Sequence, residues 1–137
     1  MPERILVIDD EVDMLMLLRM IIEDNTGYAV ETTNNASEAL KMLRETTYHL
    51  VITDLKMPGI DGLELFREIQ HIDPRLPVII ITAYASEASA EEAARLGAAN
   101  FITKPFRKNS ILFAIEKALE LIRVKQENAA LKERLDG

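Results

Sequence analysis

Short, wholly apolar segments alternate with helical patterns along this chain, and no other feature restricts its fold as strongly. The apolar segments are residues 5–8, 50–52 and 78–81. They are too short for helices and rich in β-branched residues, and because every position is apolar they predict strands buried on both faces. Residues 28–32 and 100–103 are shorter or more polar segments, which predict edge strands.

Helical periodicity fills the intervals between the predicted strands. It covers residues 12–24, 36–46, 62–72, 87–96 and a last stretch that starts near Lys108 and runs almost to the chain end. Asn35 is a suitable N-cap for the second helix. Gly97 is placed as the C′ glycine of the fourth helix.

Five β/α units in strict alternation predict an α/β fold, in which a parallel sheet carries helices on both faces. The first, third and fourth strands are the most apolar and should be central. This points to the strand order 2-1-3-4-5, a doubly wound (βα)5, flavodoxin-like arrangement. The long last helical pattern predicts that a C-terminal helix extends beyond the sheet.

Composition limits the class of protein. With 137 residues, 48% of them hydrophobic, the chain can form one domain with a real core. It has no cysteine, and no apolar run approaches the roughly 20 residues needed to cross a bilayer. Its start does not resemble a signal peptide, so we expect a cytoplasmic protein without membrane contact. Residues 1–106 hold 9 basic and 18 acidic side chains, which disfavours direct nucleic-acid binding by this segment.

Charged and polar side chains follow the predicted strands. Asp9 and Asp10 follow the first strand, Asp54 the third, Thr82 the fourth and Lys104 the fifth. In such a sheet, ligands bind beyond the carboxyl ends of the strands, beside the first strand. Three adjacent carboxylates repel one another unless a cation joins them, and oxygen-only ligands favour Mg²⁺. The alternative is that each aspartate merely caps a helix or starts a turn.

These motifs, in this order, resemble the signature of bacterial response-regulator receiver domains. The signature consists of Asp9-Asp10 after an apolar strand, the run Asp-Leu-Lys-Met-Pro-Gly-Ile-Asp-Gly at residues 54–62, Thr82-Ala83, and Lys104-Pro105-Phe106. The resemblance covers about residues 3–122. It implies a phosphoacceptor domain that assists its own phosphotransfer and dephosphorylation rather than a conventional enzyme.

The resemblance implies a role for each acidic residue. Asp54 would accept a phosphoryl group from the phosphohistidine of a histidine kinase. Asp10 would coordinate Mg²⁺ directly, together with Asp54, and Asp9 would act mainly through water. The backbone carbonyl of Lys56 would be a further metal ligand.

It also implies roles for the remaining site residues. Lys104 would pair with a phosphoryl oxygen, and its bond to Pro105 would be a cis peptide. Thr82 would hydrogen-bond the phosphoryl group, and Phe101 would be the switch aromatic that turns inward. The alternatives are a solvated surface lysine at Lys104 and an ordinary edge-strand core residue at Phe101.

The helical pattern at residues 87–96 contains mostly alanines at its apolar positions, with Leu96 as the one large side chain. It can bury little apolar area, so we predict that this helix is held loosely. Together with the Thr82 loop and Phe101, this helix would be the element whose conformation phosphorylation changes. The change would affect the surface formed by the fourth helix, fifth strand and fifth helix. Static alanine packing is the alternative.

The chain end predicts a separate segment, with a receiver at residues 1–122 and a helical linker at residues 123–137. From Leu121 onward, seam residues are spaced 3, 4, 3, 4, as in a coiled coil, and all but the asparagine are apolar: Leu121, Val124, Asn128, Leu131 and Leu135. Such a seam with a central asparagine favours a parallel homodimer, and a solvated linker helix is the alternative. Residues 126–135 resemble the linker of NtrC-type, enhancer-binding transcription activators, which implies an output domain in a longer protein.

Other protein classes fit less well. A haloacid-dehalogenase-type phosphohydrolase would need an acid two residues after its nucleophile, where this chain has Lys56. An FMN carrier would need a phosphate-binding loop after the first strand, and the acidic residues at 9–11 would repel that phosphate. A magnesium-dependent phosphohydrolase and a protein-interaction module with vestigial phosphorylation remain as alternatives.

Overall fold

Five parallel strands form one sheet in the predicted order. The structure is a computed structural model and describes residues 3–57, 60–83 and 87–120. The order is β2-β1-β3-β4-β5, and every neighbouring pair is parallel. The strands are β1 (Arg4–Ile8), β2 (Ala29–Thr33), β3 (Leu50–Thr53), β4 (Val78–Thr82) and β5 (Asn100–Thr103).

Helices cover both faces of the sheet. They are α1 (Val12–Asn25), α2 (Ala36–Glu45), α3 (Gly62–Ile72), α4 (Glu87–Leu96) and α5, the helical residues 108–120. Apolar side chains of α1 and α5 pack in one core with alternate residues of β1, such as Val7. The intervening residues, such as Leu6, pack on the other face with α2, α3 and α4. The predicted α/β, doubly wound fold is therefore confirmed.

Burial separates central strands from edge strands. All residues of β3 and β4 are buried, whereas β5 contains none that is fully buried. β2 is mixed, with Val30 and Thr33 buried among half-buried neighbours. A central strand is covered on both faces, so its positions are apolar except for Thr53 and Thr82, which end β3 and β4.

Two helix ends form as the sequence predicts. The Asn35 side chain accepts a hydrogen bond of 3.0 Å from the backbone N–H of Glu38 and caps α2. Gly97 has φ of +93°, the left-handed conformation that favours glycine. The N–H of Gly97 donates to the Ala94 carbonyl, and that of Ala98 donates to the Ala93 carbonyl, which closes α4 with a Schellman motif.

A short antiparallel pair between β3 and α3 was not predicted. It joins Lys56–Met57 to Ile60–Asp61. Gly62 follows this pair, and its N–H donates to the carbonyl of Leu55 at 2.9 Å. A Cβ at position 62 would lie 2.3 Å from that carbonyl oxygen, so only glycine allows this approach. The loop after Asp54 is thereby tied to the start of α3.

The predicted coiled-coil seam and the linker at residues 123–137 lie outside the described residues. Within the described ranges, no helix is long and apolar enough to span a bilayer.

Candidate functional site

Asp54 directly follows the central strand β3. The residue is 4% exposed, and its N–H donates to the carbonyl of Ile8 at 3.2 Å. Asp9 directly follows β1, where its N–H donates to the Thr33 carbonyl at 3.2 Å. Sheet pairing therefore fixes the backbone of both aspartates at the same edge.

Asp9, Asp10 and Asp54 form the acidic cluster that the sequence predicts. Each offers a carboxylate oxygen, and these oxygens all lie within 4.8 Å of one another. Asp9 and Asp54 are buried, whereas Asp10 is exposed and faces solvent. The alternative in which the aspartates only cap helices is not supported for Asp9, although its Oδ1 does accept a hydrogen bond from the Glu11 N–H.

Lys104 connects the two buried carboxylates. Its Nζ donates to Asp9 Oδ2 and to Asp54 Oδ2, each at 2.9 Å. The lysine side chain is 9% exposed, so the alternative of a solvated surface lysine is wrong. The bonded residues are 95 and 50 positions apart in the sequence, so these bonds form only because the strand order brings the strand ends together.

Burial and charge act in opposite directions on this group of residues. Burial raises the pKa of Asp9, while the hydrogen bonds from the Glu11 N–H and from Lys104 lower it, and the net pKa is above the usual range. Burial alone would lower the pKa of Lys104, but the hydrogen bonds to Asp9 and Asp54 raise it above its usual value. Lys104 therefore stays a cation, held between two carboxylates.

The other predicted residues lie around this cluster. Thr82 ends β4 and is fully buried, and its carbonyl accepts a 2.9 Å hydrogen bond from the Lys104 N–H. The bond between Lys104 and Pro105 is a cis peptide. Phe101, on β5, is half-buried and packs against the core on the α2, α3 and α4 side. Lys56 follows Asp54 by two residues, in the short strand pair.

Sequence reasoning missed three residues that position the site or its surroundings. Gly62 was not recognised as the residue that allows the Leu55 carbonyl to approach α3. Arg67 and Gln70, on α3, contact α4 through polar side-chain bonds. The Asp-Gly dipeptide at 61–62 was a usable signal for a turn, whereas nothing local to α3 marks its contacts with α4.

The acidic cluster has the donor set of a hard divalent cation. Mg²⁺ binds oxygen ligands at about 2.0–2.1 Å, so oxygens on one ion are at most about 4.2 Å apart. The three carboxylates are close to that spacing, and the exposed Asp10 leaves one side open to water. Their chemistry and arrangement therefore fit a magnesium ion.

A doubly wound sheet with a buried aspartate after its third strand, two acids after its first and a lysine after its fifth is the arrangement of a receiver domain. The chain belongs to the response regulator receiver domain family, whose sequence pattern matches residues 5–116. The predicted resemblance is thus confirmed.

The relatives are regulators that are longer than this chain. The transcriptional regulatory protein GlrR of Escherichia coli is 40% identical over 119 residues, which are 87% of this chain and 27% of GlrR. The chain thus spans about a quarter of that relative. A crystal structure of NtrX from Brucella abortus in complex with ATP is 37% identical with a TM-score of 0.88, covering 96% of this chain and 30% of NtrX.

A solved receiver domain also matches over almost its whole length. The solution structure of the beryllofluoride-activated NtrC4 receiver domain dimer is 34% identical with a TM-score of 0.82. The match covers 87% of this chain and 98% of that one. The similarity to receivers of NtrC-type regulators therefore extends from sequence to structure.

Proposed function

We propose that this chain is a phosphorylation-activated switch that accepts a phosphoryl group on Asp54 from a histidine kinase. The observation that carries the proposal is the position of the Asp54 carboxylate. It lies in a cluster with Asp9 and Asp10 and 2.9 Å from the Lys104 ammonium. A nucleophilic carboxylate, a cation and a metal-binding donor set are thus brought together at one strand end.

In this mechanism an Asp54 carboxylate oxygen attacks the phosphorus of a phosphohistidine. A P–O bond forms, the P–N bond breaks, and the leaving imidazole keeps the electron pair of that bond. Phosphoryl transfer spreads negative charge over the equatorial oxygens, so catalysis consists mostly of positioning and charge neutralisation. Hydrolysis of the aspartyl phosphate by water would return Asp54 to its free state.

The neighbouring residues supply positive charge and a directed donor. Lys104 would exchange its bond to Asp54 Oδ2 for a bond to a phosphoryl oxygen, while its bond to Asp9 holds the side chain in place. The Thr82 hydroxyl would donate to another phosphoryl oxygen. Asp9, Asp10, Asp54 and the backbone carbonyl of Lys56 would hold Mg²⁺. The bound ion would neutralise charge on the transferring group.

Phosphorylation would then change the surface formed by α4, β5 and α5. Thr82 immediately precedes the loop that leads to α4, and Phe101 lies on β5, so both would respond to the phosphoryl group. A change on this surface would control an output domain in a longer, cytoplasmic transcription regulator. Residues 1–122 would be the receiver and residues 123–137 the helical linker, through which two copies would form a parallel homodimer.

Intact-mass analysis after incubation with acetyl phosphate and Mg²⁺ tests the phosphoacceptor role. The chain should gain one phosphoryl group, and Asp54→Asn should gain none. Asp24→Asn, which changes an exposed aspartate on α1, is the matched control and should gain one group. A chelator should abolish the uptake. Uptake that persists in Asp54→Asn would contradict the proposal by placing the acceptor elsewhere. No uptake in the unaltered chain would favour a vestigial interaction module.

Sedimentation tests the proposed dimer. The full chain should form a dimer at high concentration, and a chain that ends at Arg123 should not. Equal monomer masses for both would exclude pairing through the linker.

A further inference from the structure

Two polar contacts join α3 to α4, and they involve residues outside the acidic cluster. The Gln70 side-chain amide donates to the backbone carbonyl of Leu96, the last residue of α4. Arg67, one turn earlier on α3, donates to Glu92 Oε1 at 3.2 Å. We refer to these two contacts as the α3–α4 bridge.

The bridge acts on a helix with little apolar anchorage. Ala93 is the fully buried residue in the described part of α4, and Leu96 is only half-buried. An alanine methyl buries much less area than the fully buried Leu65 and Ile69 that anchor α3. Polar contacts therefore contribute a larger share of the attachment of α4 than of α3.

The Gln70 contact is placed where it can define the position of α4. The Schellman motif at Gly97 satisfies the carbonyls of Ala93 and Ala94, and Gln70 satisfies the carbonyl of Leu96, the last residue of the helix. Gln70 Nε2 also lies 3.5 Å from the point that a Cβ at residue 97 would occupy. A displacement of the C-terminal end of α4 would break this contact and leave a carbonyl and an amide without their partners.

We propose that Gln70, aided by Arg67, holds α4 in the position that accompanies the Asp54–Lys104 ion pair, and so sets how readily the domain switches. The inference rests on the proposed function, because it concerns regulation of that same site. In this structure the bridge and the ion pair are present together. Contacts that favour one position of a two-state element oppose any ligand that favours the other.

Reciprocity between linked sites determines the sign of the effect. If the bridge stabilises the α4 position seen here, then loss of the bridge raises the population of the alternative position. A ligand that mimics the phosphoryl group and prefers that alternative then binds more tightly. Loss of one hydrogen bond of ordinary strength corresponds to about a five-fold change.

Amide hydrogen exchange tests whether the bridge holds α4. Gln70→Met keeps a side chain of similar length but removes the donor, and Glu92→Gln removes the charge partner of Arg67. In both variants the amide hydrogens of residues 93–98 should exchange faster than in the unaltered chain. The expected increase in rate is about five-fold for Gln70→Met. Arg75→Met, at an exposed arginine after α3, is the control and should leave these rates unchanged. Unchanged rates in Gln70→Met would overturn the proposal.

Binding of fluoroberyllate with Mg²⁺ tests the regulatory consequence. Gln70→Met should bind it about five-fold more tightly than the unaltered chain, with an unchanged affinity for Mg²⁺ alone. Equal or weaker fluoroberyllate binding would overturn the regulatory role. If the unaltered chain binds no fluoroberyllate, then the proposed function fails and the regulatory role fails with it. Hydrogen exchange would still decide whether Gln70 positions α4.

Discussion

Replacement of Lys104 by methionine should destabilise the domain through its two buried carboxylates. Methionine has a similar length and apolar character to the lysine stem, so the change mainly removes the ammonium. Asp9 and Asp54 would lose their 2.9 Å contacts with Nζ and remain in a site where their side chains are 3% and 5% exposed. Lys41→Met, at an exposed lysine on α2, is the matched control.

The contact geometry indicates the size of the effect. At an effective dielectric constant of about 20, unit charges 2.9 Å apart attract by roughly 6 kcal/mol for each contact, and the desolvation of the three groups offsets most of this. Removal of one partner from a buried ion pair costs about 3–5 kcal/mol. We expect about 3 kcal/mol, because Asp10 opens one side of the cluster to water. This corresponds to a fall in Tm of roughly 10 °C.

The loss of stability in Lys104→Met should depend on pH with a defined sign. The pKa of Asp9 is already raised above its unfolded value of 3.8, and without the ammonium, burial and repulsion from Asp54 would raise it further. A group with a raised folded pKa contributes stability below its unfolded pKa and loses it as the pH rises through the folded pKa. The deficit of Lys104→Met should therefore be largest at neutral pH and smallest near pH 4.

Urea unfolding at pH 4 and pH 7, with and without Mg²⁺, measures these effects. Mg²⁺ should stabilise Lys104→Met more than the unaltered chain, because a cation bound among the carboxylates would replace the missing charge. The reasoning would be refuted by a deficit that is the same at both pH values, or by a Mg²⁺ effect no larger than that of Lys41→Met.

Two further predictions concern the backbone. Gly62→Ala should lower the free energy of unfolding by about 3 kcal/mol, because the added Cβ would overlap the Leu55 backbone. Gly27→Ala, where a Cβ would meet open space, is the control and should be neutral or slightly stabilising. Equal urea midpoints for the two variants would contradict the predicted overlap at residue 62. Asn35→Ala should lose about 1 kcal/mol through the missing cap of α2, and Asn35→Ser should recover most of it in the same assay; no recovery would exclude the cap as the cause.

Much of the fold follows from local sequence because its signals lie within a few residues. β4 is apolar from Val78 to Ile81 and is buried along its whole length, as a central strand must be. Asn35 and Gly97 mark helix ends, since their side-chain chemistry and backbone freedom act on adjacent groups. The strand order places the carboxyl ends of β1 and β3 side by side, so the approach of Asp9 to Asp54 could also be predicted.

The remaining features depend on distances that no local pattern encodes. Sequence placed Lys104 near the site, but only the assembled sheet decided that one ammonium would bond both Asp9 and Asp54. The close approach of Gly62 to Leu55 depends on how the short strand pair folds back. The contacts of Gln70 and Arg67 depend on the separation and relative rotation of α3 and α4.

The chain by itself determined which elements form and which residues end them, because dihedral preference and burial periodicity are local. Tertiary structure decided the side-chain partners, because groups distant in the chain meet at hydrogen-bond distance only after the helices have packed on the sheet.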